Sequence, residues 1–161
     1  MKLIPDYTVE EQEDPNSAYL IFSVNNLHYA VKSSHVLKIV EIKRITSLVR
    51  MPPYILGVTK IYDNIYSVMD LRIRFGCEHC MDNHPNTAIL LTYNGLKLCA
   101  IVDKVISVKD IDADGPEIPK WVNPYVSKVI QTAGMVIGFL SIDCLFNMDE
   151  TDTWNCLNVD D

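Results

Sequence analysis

Between Tyr19 and Ser141 no β-rich run lasts more than a few residues before a turn signal interrupts it, and this punctuation constrains the fold more than any other feature. Tyr19-Leu20-Ile21-Phe22-Ser23-Val24 puts Leu20, Phe22 and Val24 on one face of an extended strand. Asn25-Asn26 then tolerates positive φ, and the strand returns through His28-Tyr29-Ala30-Val31, which predicts a hairpin. Ser33-Ser34 suits a short helical turn, after which the β-branched Ile39, Val40 and Ile42 favour extended backbone. Met51-Pro52-Pro53-Tyr54 forbids a long regular element there. Gly57–Tyr62 and Ile65–Met69 flank Asp63-Asn64 and predict a second hairpin. Asp70 can cap a single helical turn that sets Leu71 and Phe75 on one side.

The pattern continues in the second half. Thr87–Tyr93, Asn94-Gly95 and Leu96–Val102 carry the strongest hairpin signal, with Leu96, Leu98, Ala100 and Val102 on one face. Lys104–Lys109 continues as strand, and residues 110–124 form a loop rich in Asp and Pro. Tyr125–Thr132 and Met135–Ser141 predict a last strand pair, with Ile142, Leu145 and Phe146 at helical spacing beyond. Short strands at this spacing indicate an all-β barrel or sandwich with short helical turns only. A chain of 161 residues holds one such domain or two small barrels.

Charge placement says more than the total of −7. Residues 1–15 carry Lys2 against Asp6, Glu10, Glu11, Glu13 and Asp14, a net of −4, and predict a flexible acidic arm. Residues 147–161 carry Asp149, Glu150, Asp152, Asp160 and Asp161, an acidic tail of −5. The stretch 16–146 is left near neutral at +2, which excludes nucleic-acid binding by mass electrostatics. No apolar run approaches the roughly 20 residues of a spanning helix, and no secretory h-region precedes the first acids, so a cytoplasmic protein without membrane insertion is expected. Five cysteines without an export signal argue for reduced thiols, with Cys99 and Cys144 as small buried hydrophobes.

Residues 76–86 turn polar and form the best internal boundary. On either side the chain echoes itself: strand, Asp70, helical turn and Phe75 in one half, strand, Asp143, helical turn and Phe146 in the other. The halves differ in sign. Residues 32–74 hold a net of +5, and residues 75–146 a net of −3. Opposite patches on two lobes suit head-to-tail association with a related lobe pair, although solvated surface charges produce the same pattern by chance.

From Gly57 to Arg72 the sequence Gly-Val-Thr-Lys-Ile-Tyr-Asp-Asn-Ile-Tyr-Ser-Val-Met-Asp-Leu-Arg resembles the CheW-family segment that reads Gly-Val-x-Asn-Leu-Arg-Gly, a strand, and Asp-Leu-Arg. Tyr19-Leu20-Ile21-Phe22 with His28-Tyr29-Ala30-Val31 resembles the family's opening hairpin, and Val36-Leu37-Lys38-Ile39 its Val-x-Glu-Ile. Val102-Asp103-Lys104-Val105 resembles its Val-Asp-x-Val, and Phe139–Phe146 its closing strand and short helix. The resemblance implies two SH3-like five-stranded β-barrel subdomains packed side by side within residues 16–146. In chain order these would be a first barrel mainly over 18–75, a linker at 76–86 and a second barrel mainly over 87–146, with strands open to exchange between them. It also implies a non-catalytic adaptor, without cofactor, that couples the cytoplasmic tip of a methyl-accepting chemoreceptor to the regulatory domain of the histidine kinase CheA. Residue by residue, the partner-binding positions carry over to Val36, Lys38, Lys60, Ile61, Tyr62 and Asp63. The family's Asn-Leu-Arg-Gly is Lys60-Ile61-Tyr62-Asp63 here, so Tyr62 replaces Arg and Asp63 replaces Gly, and Lys38 replaces the Glu of Val-x-Glu-Ile. A phenol has one hydroxyl and a ring where a guanidinium has a planar donor fork, so these changes bear on partner choice.

The rival chemistry is Cys77-Glu-His79-Cys80-Met-Asp-Asn-His84, whose two thiols and two imidazoles could serve a metal- or redox-responsive regulator. Structural zinc sites normally draw ligand pairs from separated knuckles, and eight residues demand a very tight loop, so a polar linker is the simpler reading. His28 and His35 lack a sequence-evident nucleophile to activate, and none of the six glycines forms a G-x-G loop, which argues against an enzyme. Asp70 with Arg72 reads as a cap and ion pair, and Asp103 as a turn acid. With Asp63-Asn64 as the loop, Tyr62 and Tyr66 share a strand face, where they serve either an interface or packing.

Overall fold

The computed structural model describes residues 18–77 and 84–147. Asn25 and Asn26 take φ of 55° and 66°, and Asn94-Gly95 and Ala133-Gly134 repeat that paired positive-φ turn. Its twist matches the right-handed twist of the strands it joins, so each pair closes a tight hairpin. The hairpins are β1 (Ala18–Val24) with β2 (Leu27–Lys32), β6 (Thr87–Tyr93) with β7 (Leu96–Ile101), and β9 (Val126–Thr132) with β10 (Met135–Leu140). A fourth joins β4 (Ile55–Ile61) to β5 (Asn64–Asp70). The single strands β3 (Val36–Glu41) and β8 (Lys104–Asp110) complete the set.

Two five-stranded sheets result, with orders β8-β1-β2-β10-β9 and β3-β6-β7-β5-β4. The pattern is the same in both. A hairpin pairs along one side with a single strand, and along the other with a second hairpin through one parallel contact, β2 with β10 and β7 with β5. In chain terms the halves are interleaved, which departs from barrels drawn mainly from 18–75 and 87–146. Hairpin β1–β2 belongs with β8–β10, and hairpin β6–β7 with β3–β5. Residues 76–86 therefore connect β5 to β6 within one sheet, and the sheet-to-sheet crossings fall at Ser33–His35 and at Val102-Asp103. A lone hairpin cannot cover both of its faces. Here β1 is buried on both sides, with Tyr19 and Ile21 in one cluster and Leu20, Phe22 and Val24 in another.

The core has three parts. Tyr19, Ile21, Ala30, Ile111, Ile137 and Phe139 fill the first lobe, and Ile42, Tyr66, Val68, Ala88, Leu90, Cys99 and Ile101 fill the second. The largest cluster, with Phe22, Val31, Leu71, Ile89, Ala100 and Leu145 among its members, joins the two sheets. Burial pushes the Cys99 thiol up to about 12, so it is an inert packing group, as its apolar setting predicts.

Two helical turns close the strands that precede them. Asp70 ends β5 and accepts the Arg72 backbone N–H at 3.0 Å, starting α1 (Leu71–Arg74). The α2 turn (Ile142–Phe146) begins after Ser141 rather than at Asp143, and Ser141 Oγ donates to Asp143 Oδ1 at 2.7 Å. That hydrogen bond holds the Asp143 carboxyl below its ordinary range. Among the described residues no helix is long and apolar enough to cross a membrane.

Candidate functional site

Strands β3 and β4 are the two edges of the second sheet, so its barrel has an open seam between them. Segment 44–46 closes one end of that seam. Thr46 and Val58 exchange backbone hydrogen bonds of 2.8 and 2.9 Å, and Thr59 Oγ1 donates to the Arg44 carbonyl at 2.6 Å. The approach is close because Gly57 has no side chain: a Cβ there would stand 2.0 Å from the Thr46 oxygen. Beyond this clasp lies a cleft of about 690 Å³. Its apolar wall includes Val40, Val58, Ile61 and Ile65, and its polar wall carries Lys38, Lys43, Arg44 and Lys60 against Glu41.

At the mouth of the cleft, Lys38 Nζ donates to the Tyr62 hydroxyl and sits 4.4 Å from the Tyr62 ring centroid. An exposed cation over an aromatic face contributes about 0.5–1 kcal/mol. Tyr62 itself has φ of 56°, in the left-handed region that a bulky residue rarely enters. Ile61 pairs with Asn64, so the turn is Tyr62-Asp63 rather than Asp63-Asn64. That one-residue difference separates the two tyrosines: Tyr62 is 72% exposed at the tip, whereas Tyr66 is 6% exposed inside the second lobe. Ile65, 63% exposed, extends the apolar surface next to Tyr62.

Of the six positions predicted from sequence, Lys38, Lys60, Ile61 and Tyr62 meet around this cleft. Val36 stands apart and packs against the inter-sheet core, and Asp63 is exposed on the turn beyond the lining. Lys43, Arg44 and Ile65 were not predicted. Lys43 and Arg44 lie just past the end of edge strand β3, and Ile65 lies near the start of β5 beside edge strand β4, positions that gain meaning only once β3 and β4 are known to be edges.

The remaining candidates have structural roles. Asp70 is fully buried, and its carboxylate accepts Arg72 Nε at 3.1 Å and Arg72 Nη2 at 2.8 Å. That hydrogen bond first, then the charges of Asp70 and Asp103, raises the Arg72 pKa further. Asp103 Oδ2 accepts the Asn25 backbone N–H at 2.6 Å and ties a sheet crossing to the first hairpin. The Arg74 guanidinium lies 4.0 Å from the Tyr54 ring and 5.1 Å from the Tyr125 ring, between the lobes. In the proposed metal cluster, Cys77 is disulfide-bonded, which departs from the expectation of reduced thiols, and His84 Nδ1 lies 2.8 Å from the Pro85 carbonyl oxygen. His79 and Cys80 lie outside the described residues. Among the described residues no three potential ligands gather.

A model of the CheW-like domain matches residues 18–150. The chain belongs to the CheW-like family. Its two five-stranded sheets are the CheW fold of two SH3-like subdomains, and it superposes on the scaffolding protein TtCheW from Thermoanaerobacter tengcongensis with a TM-score of 0.69. That match has 25% identity and covers 78% of this chain and 89% of TtCheW. Protein FrzA of Myxococcus xanthus is 28% identical over 110 residues, 68% of this CheW-like chain and 68% of FrzA. Chemotaxis protein CheW of Klebsiella aerogenes is 27% identical over 105 residues, 63% of this chain and 61% of the relative. The CheW of Helicobacter pylori is 25% identical over 109 residues, 65% of this chain and 66% of the relative.

Proposed function

We propose that this CheW-like protein is a non-catalytic cytoplasmic adaptor that couples the tip of a methyl-accepting chemoreceptor to the regulatory domain of a CheA-type histidine kinase. The rim of the β3–β4 cleft, with Lys38, Lys60, Ile61, Tyr62 and Asp63, supplies one of its contacts, while Val36 packs into the inter-sheet core at the start of β3. The observation that carries this reading is Tyr62: an aromatic side chain held in a left-handed turn and largely exposed. Such backbone strain costs about 1–3 kcal/mol and persists where the surroundings enforce it. A large exposed ring beside a cation is the composition of an interface anchor rather than of a solvated turn.

Adaptor action needs only differential binding. A receptor conformation that fits the rim better shifts the population of bound chain, and the kinase domain held elsewhere on the same chain responds to that shift. The test is titration of a receptor-tip fragment and of a CheA regulatory domain with wild type, Lys38→Glu and Tyr62→Ala. Micromolar binding of both partners is expected, with each substitution weakening one of them about tenfold while unfolding stays cooperative. Binding of neither partner, or binding unchanged by both substitutions, would overturn the assignment.

A further inference from the structure

The β3–β4 cleft has a second property that the adaptor reading does not use. It is a slot with two unpaired strand edges and a strongly one-signed lining. Lys38, Lys43, Arg44 and Lys60 face Glu41 alone, and Asp63 lies outside the slot. Val58 directs its N–H and C=O toward Thr46, and strand alternation turns those of Lys60 the same way, into the open part of the seam. The slot thus has backbone groups for an added extended segment and cations for its carboxylates, with an apolar wall between.

We propose that the occupant is the chain's own acidic C-terminal segment, residues 147–161. That segment carries Asp149, Glu150, Asp152, Asp160 and Asp161 and no basic residue, together with Trp154 and Leu157 for the apolar wall. It also starts in the right place. The Phe146 ring, at the end of α2, lies 5.8 Å from the Tyr93 ring, and Tyr93 lies 5.7 Å from the His35 ring. His35 leads directly into β3, so Lys38 is about 10 Å further along the strand. Fifteen residues reach about 50 Å when extended, more than enough to run along the cleft. A tethered segment presents itself at an effective concentration near the millimolar range, so modest charge attraction suffices to seat it. The seated tail covers Lys38 and Tyr62 and shields them from a partner; this last consequence alone rests on the adaptor reading.

Zero-length carbodiimide coupling of the full-length protein tests the seating without any partner. At low protein concentration and low salt, the monomer band should contain amide links from Asp149, Glu150 or Asp152 to Lys38, Lys43 or Lys60. These should exceed links from the same acids to Lys97, Lys104 and Lys109 by about fivefold, and the excess should fall steeply at high salt. Asp149→Asn, Glu150→Gln and Asp152→Asn together should abolish the links, and removal of 147–161 should shift the amide resonances of Lys38, Lys60 and Tyr62. Tail carboxylates coupled evenly to all lysines, no tail links in the monomer, or acids of residues 1–15 coupled to the cleft instead would each overturn the proposal. Receptor binding is measured separately, so a failed cross-link and a failed adaptor reading remain distinguishable.

Discussion

Gly57→Ala is the substitution whose cost follows most directly from the geometry. Gly57 has φ of +144°, and a Cβ would meet the Thr46 oxygen at 2.0 Å, the Thr46 carbonyl carbon at 2.7 Å and Ser47 Cα at 2.9 Å. All three are backbone atoms, so no rotamer change relieves the contact. Segment 44–47 must lift away, breaking the two Thr46–Val58 bonds and the Thr59 Oγ1 bond to Arg44. The strained φ costs about 1–3 kcal/mol, and each lost bond about 1 kcal/mol. Together they come to about 4–6 kcal/mol, a large share of the 5–15 kcal/mol typical of whole domains. Urea denaturation should show that loss, and thermal melting a fall of about 10–20 °C for a chain of this size. Gly95→Ala is the control: its φ is +80° but nothing stands within 4 Å of a Cβ, so it pays strain alone, about 1 kcal/mol. Equal destabilisation by the two variants would refute the claim that close backbone approach at Gly57 clasps the seam.

Asp70→Asn keeps an acceptor for the Arg72 backbone N–H but leaves a buried guanidinium without its counter-charge, and should cost about 3 kcal/mol in denaturant titration; a loss below about 1 kcal/mol would contradict the buried-pair account. His35 has its pKa lowered from 6.5, first by burial and then by Lys32, against a raising hydrogen bond with the Thr92 backbone. The folded state therefore holds His35 neutral while the unfolded chain protonates it. That contribution to stability is complete above pH 6.5 and is lost as pH falls from there through the lower folded value. His35→Gln should flatten the stability–pH curve in that window, and an unchanged slope would show that His35 does not set it.

Local chemistry was the legible part of the fold. Asn25-Asn26 and Asn94-Gly95 close hairpins where they were expected, because residues that tolerate positive φ declare such turns without reference to anything distant. The turn of the second hairpin lies one residue earlier than the sequence predicts, for the converse reason. Tyr62 occupies a left-handed position that propensity assigns to Asn, Asp or Gly, so Asp63-Asn64 looked like the better loop. The exchange of hairpins between halves was not legible, since the pairing of His28–Ala30 with Ile137–Phe139 joins segments more than a hundred residues apart that no local pattern connects. Within the site, family spacing led to Lys38 and Tyr62 separately. Their contact across the seam, and the part played by Lys43 and Arg44, depend on β3 and β4 being the two ends of one sheet.

The coupling claim is tested most directly by bridging. Assemblies of a receptor cytoplasmic fragment are sedimented with a CheA regulatory domain, with and without this chain. The account predicts that the kinase domain pellets only when the chain is present, and that Tyr62→Ala removes it from the pellet. Kinase domain that stays in the supernatant at saturating chain, with the chain itself bound to receptor, would contradict it.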